Sequence, residues 1–415
     1  MAEIIDFGGN LSSEHGEREG EAPGALPLEG ATQAPMVVQV LYIQGDAVGA
    51  DIWAASHEVF EEAVRKAYGG AKRIEWIELV AGEKSLAREG VLLPESTLTS
   101  IRQHKVALKG PLTTPVGGGF RSINVFLRQI FDLYACVRPV KYFDGLPSPL
   151  KHPEHVNFVI LRENTEDLYR GIEWEEGTRE VRDILAFLRE QVNVSLPDDT
   201  GLGIKPISRG GTRRFTKWAI EYAIRNGRKA ITVVHKGNIM KYTEGAFRKW
   251  AYEVAEEHTK WLTFDREEGK IRFNDRIADN MFMQVILRPE EYDILLCPNL
   301  NGDYLSDACA ALIGGLGVAA GANIGDEIAI FEPTHGSAPK YAGKDMVNPT
   351  SFILSGCMLF RHIDLPEVAD LVERSLEATI KAGFMTYDLA RQMEGIRPVS
   401  CSRFGREVTE RIAKT

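Results

Sequence analysis

The chain has 415 residues, of which 44% are hydrophobic and 26% charged, so it is long enough to bury a large core in two or three domains. Its net charge of −10 and the lack of a basic run argue against a nucleic-acid partner held through phosphates. Neither a signal peptide nor an apolar run of the roughly 20 residues that a bilayer requires is present, so we expect no membrane partner. The five widely spaced cysteines favour reduced, mostly buried thiols and a cytoplasmic location.

Strand and helix patterns alternate along most of the chain. Residues 1 to about 35 lack apolar periodicity and predict a mobile extension. Strand patterns follow near residues 37, 73, 105, 158, 231 and 292. Helix patterns cover the stretch before Gly69 and residues 122–135, 212–226, 243–258, 350–362 and 366–382. This alternation predicts an α/β architecture, which the stretch from about 167 to 211 interrupts like an insertion with its own role.

Two carboxylates, Asp303 and Asp307, stand four residues apart after an apolar strand pattern. We expect a helix near Ala308 to Leu312, at whose start these side chains would lie on one face, about one turn apart. They could then hold a hard divalent cation, which prefers oxygen ligands. The alternative is a pair of acids that cap the helix electrostatically. These residues alone leave both interpretations open.

Polar and basic side chains upstream are candidates for binding an anion. A glycine-rich loop at 113–119 leads into a helix at Ser122 that carries Asn124, an arrangement that attracts anions, although an ordinary N-cap serine is the simpler interpretation. Arg138 and Arg162 stand at the edges of apolar stretches, and Arg128 precedes them. Their partners are either internal acids or several substrate carboxylates.

Further candidates lie in the second half of the chain. Lys236 follows a buried strand pattern, where α/β proteins place ligands, and could act as a general base, with a surface lysine as the alternative. The glycine pattern at 315–320 has the letters of a dinucleotide fingerprint but follows an apolar helix pattern, so we reject it as a Rossmann site. The donors in 332–341 and at Tyr387 and Arg391 would suit a phosphate, although each alone is an ordinary solvated side chain.

Five blocks together resemble one family. Residues 109–119, 162–169, 235–241, 299–307 and 334–341 match, in the same order, the bacterial NADP-dependent isocitrate dehydrogenases of the isocitrate/isopropylmalate dehydrogenase family. Departures occur at Ala47, Asn280 and Ala320, where glycine, a small apolar residue and proline are usual.

The resemblance implies an α/β fold of the isocitrate/isopropylmalate dehydrogenase type, without a Rossmann fingerprint. It would comprise a mobile N-terminal extension at 1–35, a large α/β domain at 36–133 and 314–415, a small α/β domain at 134–166 and 212–313, and a clasp at 167–211 that interlocks two subunits. An obligatory homodimer follows, because the active site would be shared across the interface.

The resemblance also implies oxidative decarboxylation of isocitrate to 2-oxoglutarate and CO2, with reduction of NADP and dependence on Mg2+ or Mn2+, as in the tricarboxylic acid cycle. The metal ligands would be Asp303, Asp307 and Asp279 of the partner subunit. Tyr169 would protonate the enolate carbon, and Lys236 of the partner subunit would help to deprotonate the 2-hydroxyl.

The other implied site residues fall into two sets. The first set would bind the substrate and comprises Ser122, Asn124, Arg128, Arg138, Arg162 and Asn238. The second set would bind NADP and comprises Thr114, His335, Gly336, Lys340, Tyr341, Asn348, Tyr387 and Arg391. Lys340, Tyr341, Tyr387 and Arg391 would hold the 2′-phosphate. Ser122 matches the position at which a regulatory kinase phosphorylates members of the bacterial group.

Three alternatives compete with this interpretation. The nearest is an isopropylmalate or homoisocitrate dehydrogenase that uses NAD. The others are a non-redox metal-dependent hydrolase or phosphotransferase built on Asp303 and Asp307, and a binding protein without catalytic activity.

Overall fold

The computed structural model describes residues 35–113 and 122–415. The predicted extension at 1–35, apart from residue 35, and most of the glycine-rich loop lie outside these ranges. The strands within them are β1 Met36–Ile43, β2 Lys72–Leu79, β3 Val106–Lys109, β4 Ala135–Lys141, β5 Asn157–Glu163, β6 Glu173–Trp174, β7 Leu202–Gly203, β8 Ala230–His235, β9 Leu262–Thr263, β10 Ile271–Ile277, β11 Ile294–Cys297, β12 Ala320–Ile324 and β13 Ala329–Pro333.

Helices separate most of these strands. They are α1 Gly49–Tyr68, α2 Glu83–Glu89, α3 Glu95–His104, α4 Ile123–Ile130, α5 Arg179–Gln191, α6 Arg209–Arg225, α7 Glu244–Glu256, α8 Ala278–Leu287, α9 Asn299–Ala310, α10 Thr350–His362, α11 Pro366–Lys381, α12 Tyr387–Ala390 and α13 Cys401–Lys414. The predicted α/β architecture is confirmed. Over the described ranges, no helix has both the length and the apolar character needed to cross a membrane.

One large sheet organises the fold, with strand order β2-β1-β3-β13-β12-β4-β5-β11-β8-β10-β9. Its two outer blocks are parallel, and β12 and β4 join them through antiparallel pairings. The block from β2 to β13 comes from both ends of the described chain, whereas the block from β5 to β9 comes from its middle. Buried parallel strands are apolar throughout, as Ile294–Cys297 illustrates, because helices cover both of their faces.

The alternation of side chains along the central strands defines two faces of the sheet. Arg162 pairs in register with Cys136, which pairs with Asn323, so Arg162, Arg138 and Asn323 point to one side, the front face. Val137 pairs with Ala322 and therefore points to the opposite side, the back face, together with Ile324. Two of the predicted arginines, Arg138 and Arg162, thus lie on the front face where the two blocks meet.

Helices from the two ends of the chain pack together. Helix α1 contacts α10, α11 and α13, and Phe60 meets Phe360 in an edge-to-face contact with ring centroids 5.4 Å apart. A Cβ at Gly356 would come within 2.3 Å of the Phe60 ring, so glycine is required for this close approach. The packing explains how the first and last parts of the described chain form one block.

Two boundaries differ from the sequence prediction. The helix predicted at 122–135 ends at Ile130, and the apolar residues after Leu133 form the buried strand β4 instead. Short apolar runs fit either element, and here strand pairing with β5 and β12 prevails. The helix expected near Ala308 begins at Asn299, as α9, and ends at Ala310. The sequence did not predict strands β6, β7, β9, β10, β12 and β13.

The segment predicted as a clasp, 167–211, contains α5 and the two-stranded antiparallel sheet of β6 and β7. Helix α5 begins after Thr178, whose side chain accepts a hydrogen bond from the Val181 amide. Large apolar side chains of this segment are exposed in the single chain, including Phe187, Val192 and Ile204. Its role in joining subunits, and the division into large and small domains, stay predictions.

Candidate active site

The carboxylates of Asp303 and Asp307 lie in the body of α9. The helix starts at Asn299 after Pro298, and its first turn contains no acidic residue. The interpretation as a helix-capping pair is therefore wrong, because a charge stabilises the helix dipole only within the first turn. The side chains are 28% and 54% exposed, so both carboxylates remain accessible to a ligand.

Arg162, at the end of β5, is fully buried against α9. Its Nε donates to Asn299 Oδ1 at 2.9 Å, and its Nη1 is paired with Asp303 Oδ1. A Cβ at Gly302 would come within 2.7 Å of the Arg162 side chain, so glycine allows the helix to lie directly on the guanidinium. Burial first, and then the charges of Arg128 and Arg138, lower the pKa of Arg162. The three predicted arginines are therefore close enough to repel one another.

The other two arginines each hold an acid. Arg138 Nη1 donates to Ser306 Oγ at 2.7 Å and to Asp307 Oδ1 at 3.2 Å. Arg128 Nη2 donates to Glu332 Oε1 at 3.2 Å. The sequence left open whether the arginines pair with internal acids, and the structure shows that they do. These pairs do not use all of the guanidinium donors.

Several buried polar atoms of this pocket have no hydrogen-bond partner among the described residues. They are Arg128 Nε, Arg162 Nη2 and Asn124 Oδ1. A buried polar group that makes no hydrogen bond costs about 1–3 kcal/mol, more for a charged group, so such atoms favour a site that binds a polar ligand. Guanidinium donors suit carboxylates, which favours a ligand with several negative charges.

Glu332 and Lys109 complete the pocket, and the sequence did not assign either of them a role. Lys109 Nζ lies 2.7 Å from Glu332 Oε2, and Asn323 Nδ2 donates to Glu332 Oε1 at 2.6 Å. Burial would raise the pKa of Glu332, but the charges of Lys109 and Arg128 outweigh it and hold that pKa well below its usual range. The carboxylate therefore stays ionised and balances part of the positive charge. Local sequence patterns could not indicate these contacts, because Glu332 lies more than 200 positions from Lys109 and Arg128.

Tyr169 lies between the metal-site candidates and the arginines. Its hydroxyl donates to Asp303 Oδ2, and its ring centroid is 4.6 Å from the Arg162 guanidinium carbon. Burial, followed by the hydrogen bond to the Asp303 carboxylate, raises the pKa of Tyr169. The phenol therefore keeps its proton at neutral pH and can act as an acid.

Lys236 and Asp279 form a separate pair at the ends of β8 and β10. Lys236 Nζ donates to Asp279 Oδ1, and this hydrogen bond lowers the pKa of Asp279. The side chains are 32% and 68% exposed. Within one chain, no hydrogen bond or ion pair of the described residues joins either side chain to Asp303 or Asp307. Likewise, no three His, Cys, Asp or Glu residues of the described ranges form a cluster able to hold a metal ion.

The remaining substrate candidates are Ser122, Asn124 and Asn238. Ser122 occupies the N-cap position of α4, and Asn124 lies in the first turn. Asn238 is exposed in the loop after Lys236. Thr114 lies outside the described residues, but its neighbour Thr113 donates from Oγ1 to Ser337 Oγ at 2.8 Å, next to the cofactor candidates.

The NADP candidates surround a cavity of about 640 Å³. Those that line it are His335, Gly336, Tyr341, Asn348, Tyr387 and Arg391. Lys340 does not line the cavity, but its Nζ lies 4.8 Å from the Tyr341 ring centroid. The rings of Tyr341 and Tyr387 are 5.2 Å apart, and the Arg391 guanidinium carbon is 6.0 Å from the Tyr387 ring. The two cations and two phenols are thus together at one side of the cavity.

His335 and Asn348 give this cavity its polar contacts. Burial lowers the pKa of His335, so the ring is neutral; its Nδ1 donates to Gly336 O at 3.0 Å, and its buried Nε2 has no partner among the described residues. That nitrogen is left as an acceptor for a ligand hydroxyl or amino group. Asn348 Nδ2 donates to Asp388 Oδ2 at 3.1 Å, so Asp388, which the sequence did not single out, orients this amide.

A larger cavity, about 780 Å³, opens on the back face beside Val137 and Ile324. Two of its cations are already paired, Arg214 with Asp132 and Arg361 with Asp370. None of its described lining residues carries a buried polar atom that lacks a partner. Judged by volume alone, this cavity would be the candidate ligand site. The buried guanidinium nitrogens without partners indicate instead that the ligand binds on the front face.

The chain is similar to known proteins over nearly its whole described length. The sequence profile of the isocitrate/isopropylmalate dehydrogenase family matches residues 39–408. A protein of Archaeoglobus fulgidus named isocitrate dehydrogenase [NADP] is 52% identical over 382 residues, which cover 89% of this chain and 92% of that protein. One of the same name from Staphylococcus epidermidis is 48% identical over 399 residues, covering 89% and 94%.

A solved structure has the same fold. The crystal structure of isocitrate dehydrogenase from Methylococcus capsulatus superposes with a TM-score of 0.76 at 38% sequence identity, over 90% of this chain and 99% of that one. Together with the profile match, this shows that the chain belongs to the isocitrate/isopropylmalate dehydrogenase family.

Proposed function

We propose that the chain catalyses the oxidative decarboxylation of isocitrate to 2-oxoglutarate and CO2, with NADP as the hydride acceptor and Mg2+ or Mn2+ as the metal. The observation that carries the proposal is the arginine pocket, where buried guanidinium nitrogens lack partners beside Asp303 and Asp307. The names of the relatives, whose sequences match nearly the whole chain, support the same activity.

Most residues of the pocket have a task in this reaction. Arg128, Arg138 and Arg162 bind two carboxylates of the substrate, and Ser122 and Asn124 bind the third. Asp303 and Asp307 suit a hard cation, since they offer accessible carboxylate oxygens. A bound divalent metal supplies the charge that polarises the 2-hydroxyl and then the carbonyl. Tyr169, which holds its proton beside Asp303, protonates the carbon from which CO2 has left.

The site is completed by a second copy of the chain. Lys236 and Asp279 are hydrogen-bonded to each other in one chain but not to the Asp303 pocket. We place Lys236 of the partner subunit at the 2-hydroxyl and Asp279 of the partner subunit at the metal, with Asn238 of the partner subunit near the substrate. Met283, Ile286 and Leu287 of α8, spaced along one face and 44%, 53% and 64% exposed, form an apolar stripe that a homodimer would cover.

The cavity lined by His335 and Asn348 is the site we propose for NADP. The cations and phenols at Lys340, Tyr341, Tyr387 and Arg391 are suited to a 2′-phosphate, to which NAD has no counterpart. The five cysteines are unpaired and buried, in keeping with a cytoplasmic location.

Exchanging the phosphate donors should change the choice of cofactor. We expect Lys340→Asp combined with Tyr341→Ile to reduce the ratio of kcat/KM for NADP over NAD by about 10²-fold or more, because a charge-assisted hydrogen bond is replaced by repulsion. Steady-state rates with both cofactors at saturating isocitrate measure the ratio. Lys344→Asp, an exposed lysine of the following turn, is the control. A double variant that keeps the original ratio would show that the 2′-phosphate lies elsewhere.

A negative charge at Ser122 should prevent substrate binding. We expect Ser122→Asp to lower kcat/KM for isocitrate by about 10²-fold or more, since it sets a carboxylate against a carboxylate, and like charges at close range cost several kcal/mol. The KM for NADP should stay close to that of the wild type. This would also support regulation by a kinase that acts on Ser122. A variant with an unchanged KM for isocitrate would remove Ser122 from the substrate site.

A four-way assay tests the proposed activity. Absorbance of reduced nicotinamide is followed with isocitrate or isopropylmalate, each with NADP or NAD, in the presence of Mn2+. We expect the rate with isocitrate and NADP to exceed the others, and to vanish when the metal is chelated. A preference for isopropylmalate with NAD would instead establish the neighbouring activity of the family, and no absorbance change with any pair would exclude both of these activities.

A further inference from the structure

Three charged side chains behind the proposed metal helix form a continuous bridge, Asp167–Lys205–Glu244. Lys205 Nζ lies 2.5 Å from Asp167 Oδ1 and 3.0 Å from Glu244 Oε1. Both acids are almost fully buried, with residue exposures of 1% and 0%, and the lysine side chain is 14% exposed. Lys205 is thus the cation that both acids share.

Asp167 holds the first turn of α9. Its Oδ2 accepts a hydrogen bond from the Leu300 amide at 3.0 Å, and the adjacent Asn299 Nδ2 donates to Glu166 O at 3.1 Å. Amides at the start of a helix have no partner within the helix, so a buried carboxylate here fixes where the helix begins. Asp303 and Asp307 lie on the next two turns of α9, so the position at which the helix begins determines the positions of both carboxylates.

Glu244 holds two segments with its other oxygen. Its Oε2 accepts from the Lys236 amide at 2.5 Å and from Asn301 Nδ2 at 2.8 Å. The same carboxylate therefore fixes the backbone of Lys236, which we assign to the partner's active site, and the first turn of α9, which belongs to this chain's own site.

We propose that Lys205 is a positioning residue that, through Asp167 and Glu244, sets the place of both the metal-binding helix and the Lys236 loop. The inference rests on the proposed function of Asp303, Asp307 and Lys236. In a homodimer, each such bridge supports both active sites. Without Lys205, the two acids would face each other with no counter-charge, and they would separate or take up water or protons, moving α9 and the loop.

Lys205→Met keeps the length of the side chain and removes its charge. We expect the dissociation constant for Mn2+, measured by the electron paramagnetic resonance signal of the free ion with the whole dimer, to rise about 10- to 100-fold, as for other residues that orient metal ligands. We expect kcat with isocitrate to fall by a similar factor while the KM for NADP changes by less than about twofold, because the NADP cavity does not contact the bridge.

The control is Lys414→Met, which breaks an ion pair with Glu410 on the exposed side of α13 and should leave all of these values unchanged. Asp167→Asn is the second variant should Lys205→Met fail to fold. Asparagine keeps the shape of the side chain and leaves Glu244 as the one acid for Lys205. Because its neutral oxygen is a weaker acceptor for the Leu300 amide, the dissociation constant for Mn2+ should rise about fivefold.

The outcomes separate the inference from the function on which it rests. A folded Lys205→Met dimer that binds Mn2+ and turns over like the wild type, with or without a lower melting temperature, would limit Lys205 to a structural role and overturn the proposal. If Lys205→Met does not fold, an unchanged dissociation constant for Mn2+ in Asp167→Asn would overturn the proposal in the same way. A wild-type protein that neither binds Mn2+ nor oxidises isocitrate would instead refute the proposed function itself.

Discussion

Replacing Lys236 by methionine is expected to lower kcat for isocitrate oxidation by about 10²- to 10⁴-fold, the usual contribution of a positioned general acid or base. The Lys236 ammonium, in the loop after β8, is hydrogen-bonded to the Asp279 carboxylate at the start of α8. Methionine fills the same space without a group that can exchange a proton. The KM for isocitrate should change much less, because the three arginines that bind its carboxylates are untouched.

Lys241 provides a matched control for this experiment. It is an exposed lysine of the same loop. Lys241→Met should keep the wild-type kcat within about twofold, as is usual for surface positions without specific partners. If Lys236→Met were as active as Lys241→Met, Lys236 would have no part in proton transfer.

Replacing Asp303 by asparagine is expected to lower kcat/KM for isocitrate by about 10²- to 10³-fold, the range for loss of one strong electrostatic contact in an active site. Asparagine offers one neutral oxygen instead of a charged pair, and it also leaves Arg162 and Tyr169 without their anionic acceptor. The dissociation constant for Mn2+ should rise in parallel. Rates measured over ranges of both Mn2+ and isocitrate concentration give both values.

Asp326 is the matched control for Asp303, because it also accepts a hydrogen bond from a tyrosine, Tyr134, but does so beside the back-face cavity. Asp326→Asn should leave the Mn2+ dependence unchanged even if it lowers the melting temperature. An Asp303→Asn protein with wild-type Mn2+ dependence would mean that the α9 carboxylates serve only as partners of the arginines.

Much of the site could be predicted because its residues stand in contiguous blocks. Three local features of the sequence are also present in the structure: the spacing of Asp303 and Asp307, the strand before Lys236, and the arginines at the edges of apolar stretches. The α/β alternation was equally readable, since buried parallel strands such as β11 are short apolar runs separated by amphipathic helices.

The remainder depends on contacts between distant parts of the chain. Residues 135–141 form a strand because they pair with β5 and β12, and no local sequence pattern indicates this pairing. The same is true of Glu332, whose charge is balanced by Lys109 and Arg128, and of Asp167, whose partner Lys205 lies within the predicted clasp. Helix α9 starts earlier than predicted because Asp167 satisfies an amide at its beginning, a cap supplied from another segment.

A mixed dimer tests most directly the claim that a metal-dependent isocitrate dehydrogenase site is built from two copies of this chain. Asp303→Asn and Lys236→Met chains, each with a different affinity tag, are co-expressed, and dimers that carry both tags are assayed for isocitrate-dependent NADP reduction. One site of such a dimer carries both substitutions and the other carries neither, so we expect about half of the wild-type activity although each parent is nearly inactive. A mixed dimer as inactive as its parents would contradict the account, because it would place Lys236 and Asp303 in the same chain's site.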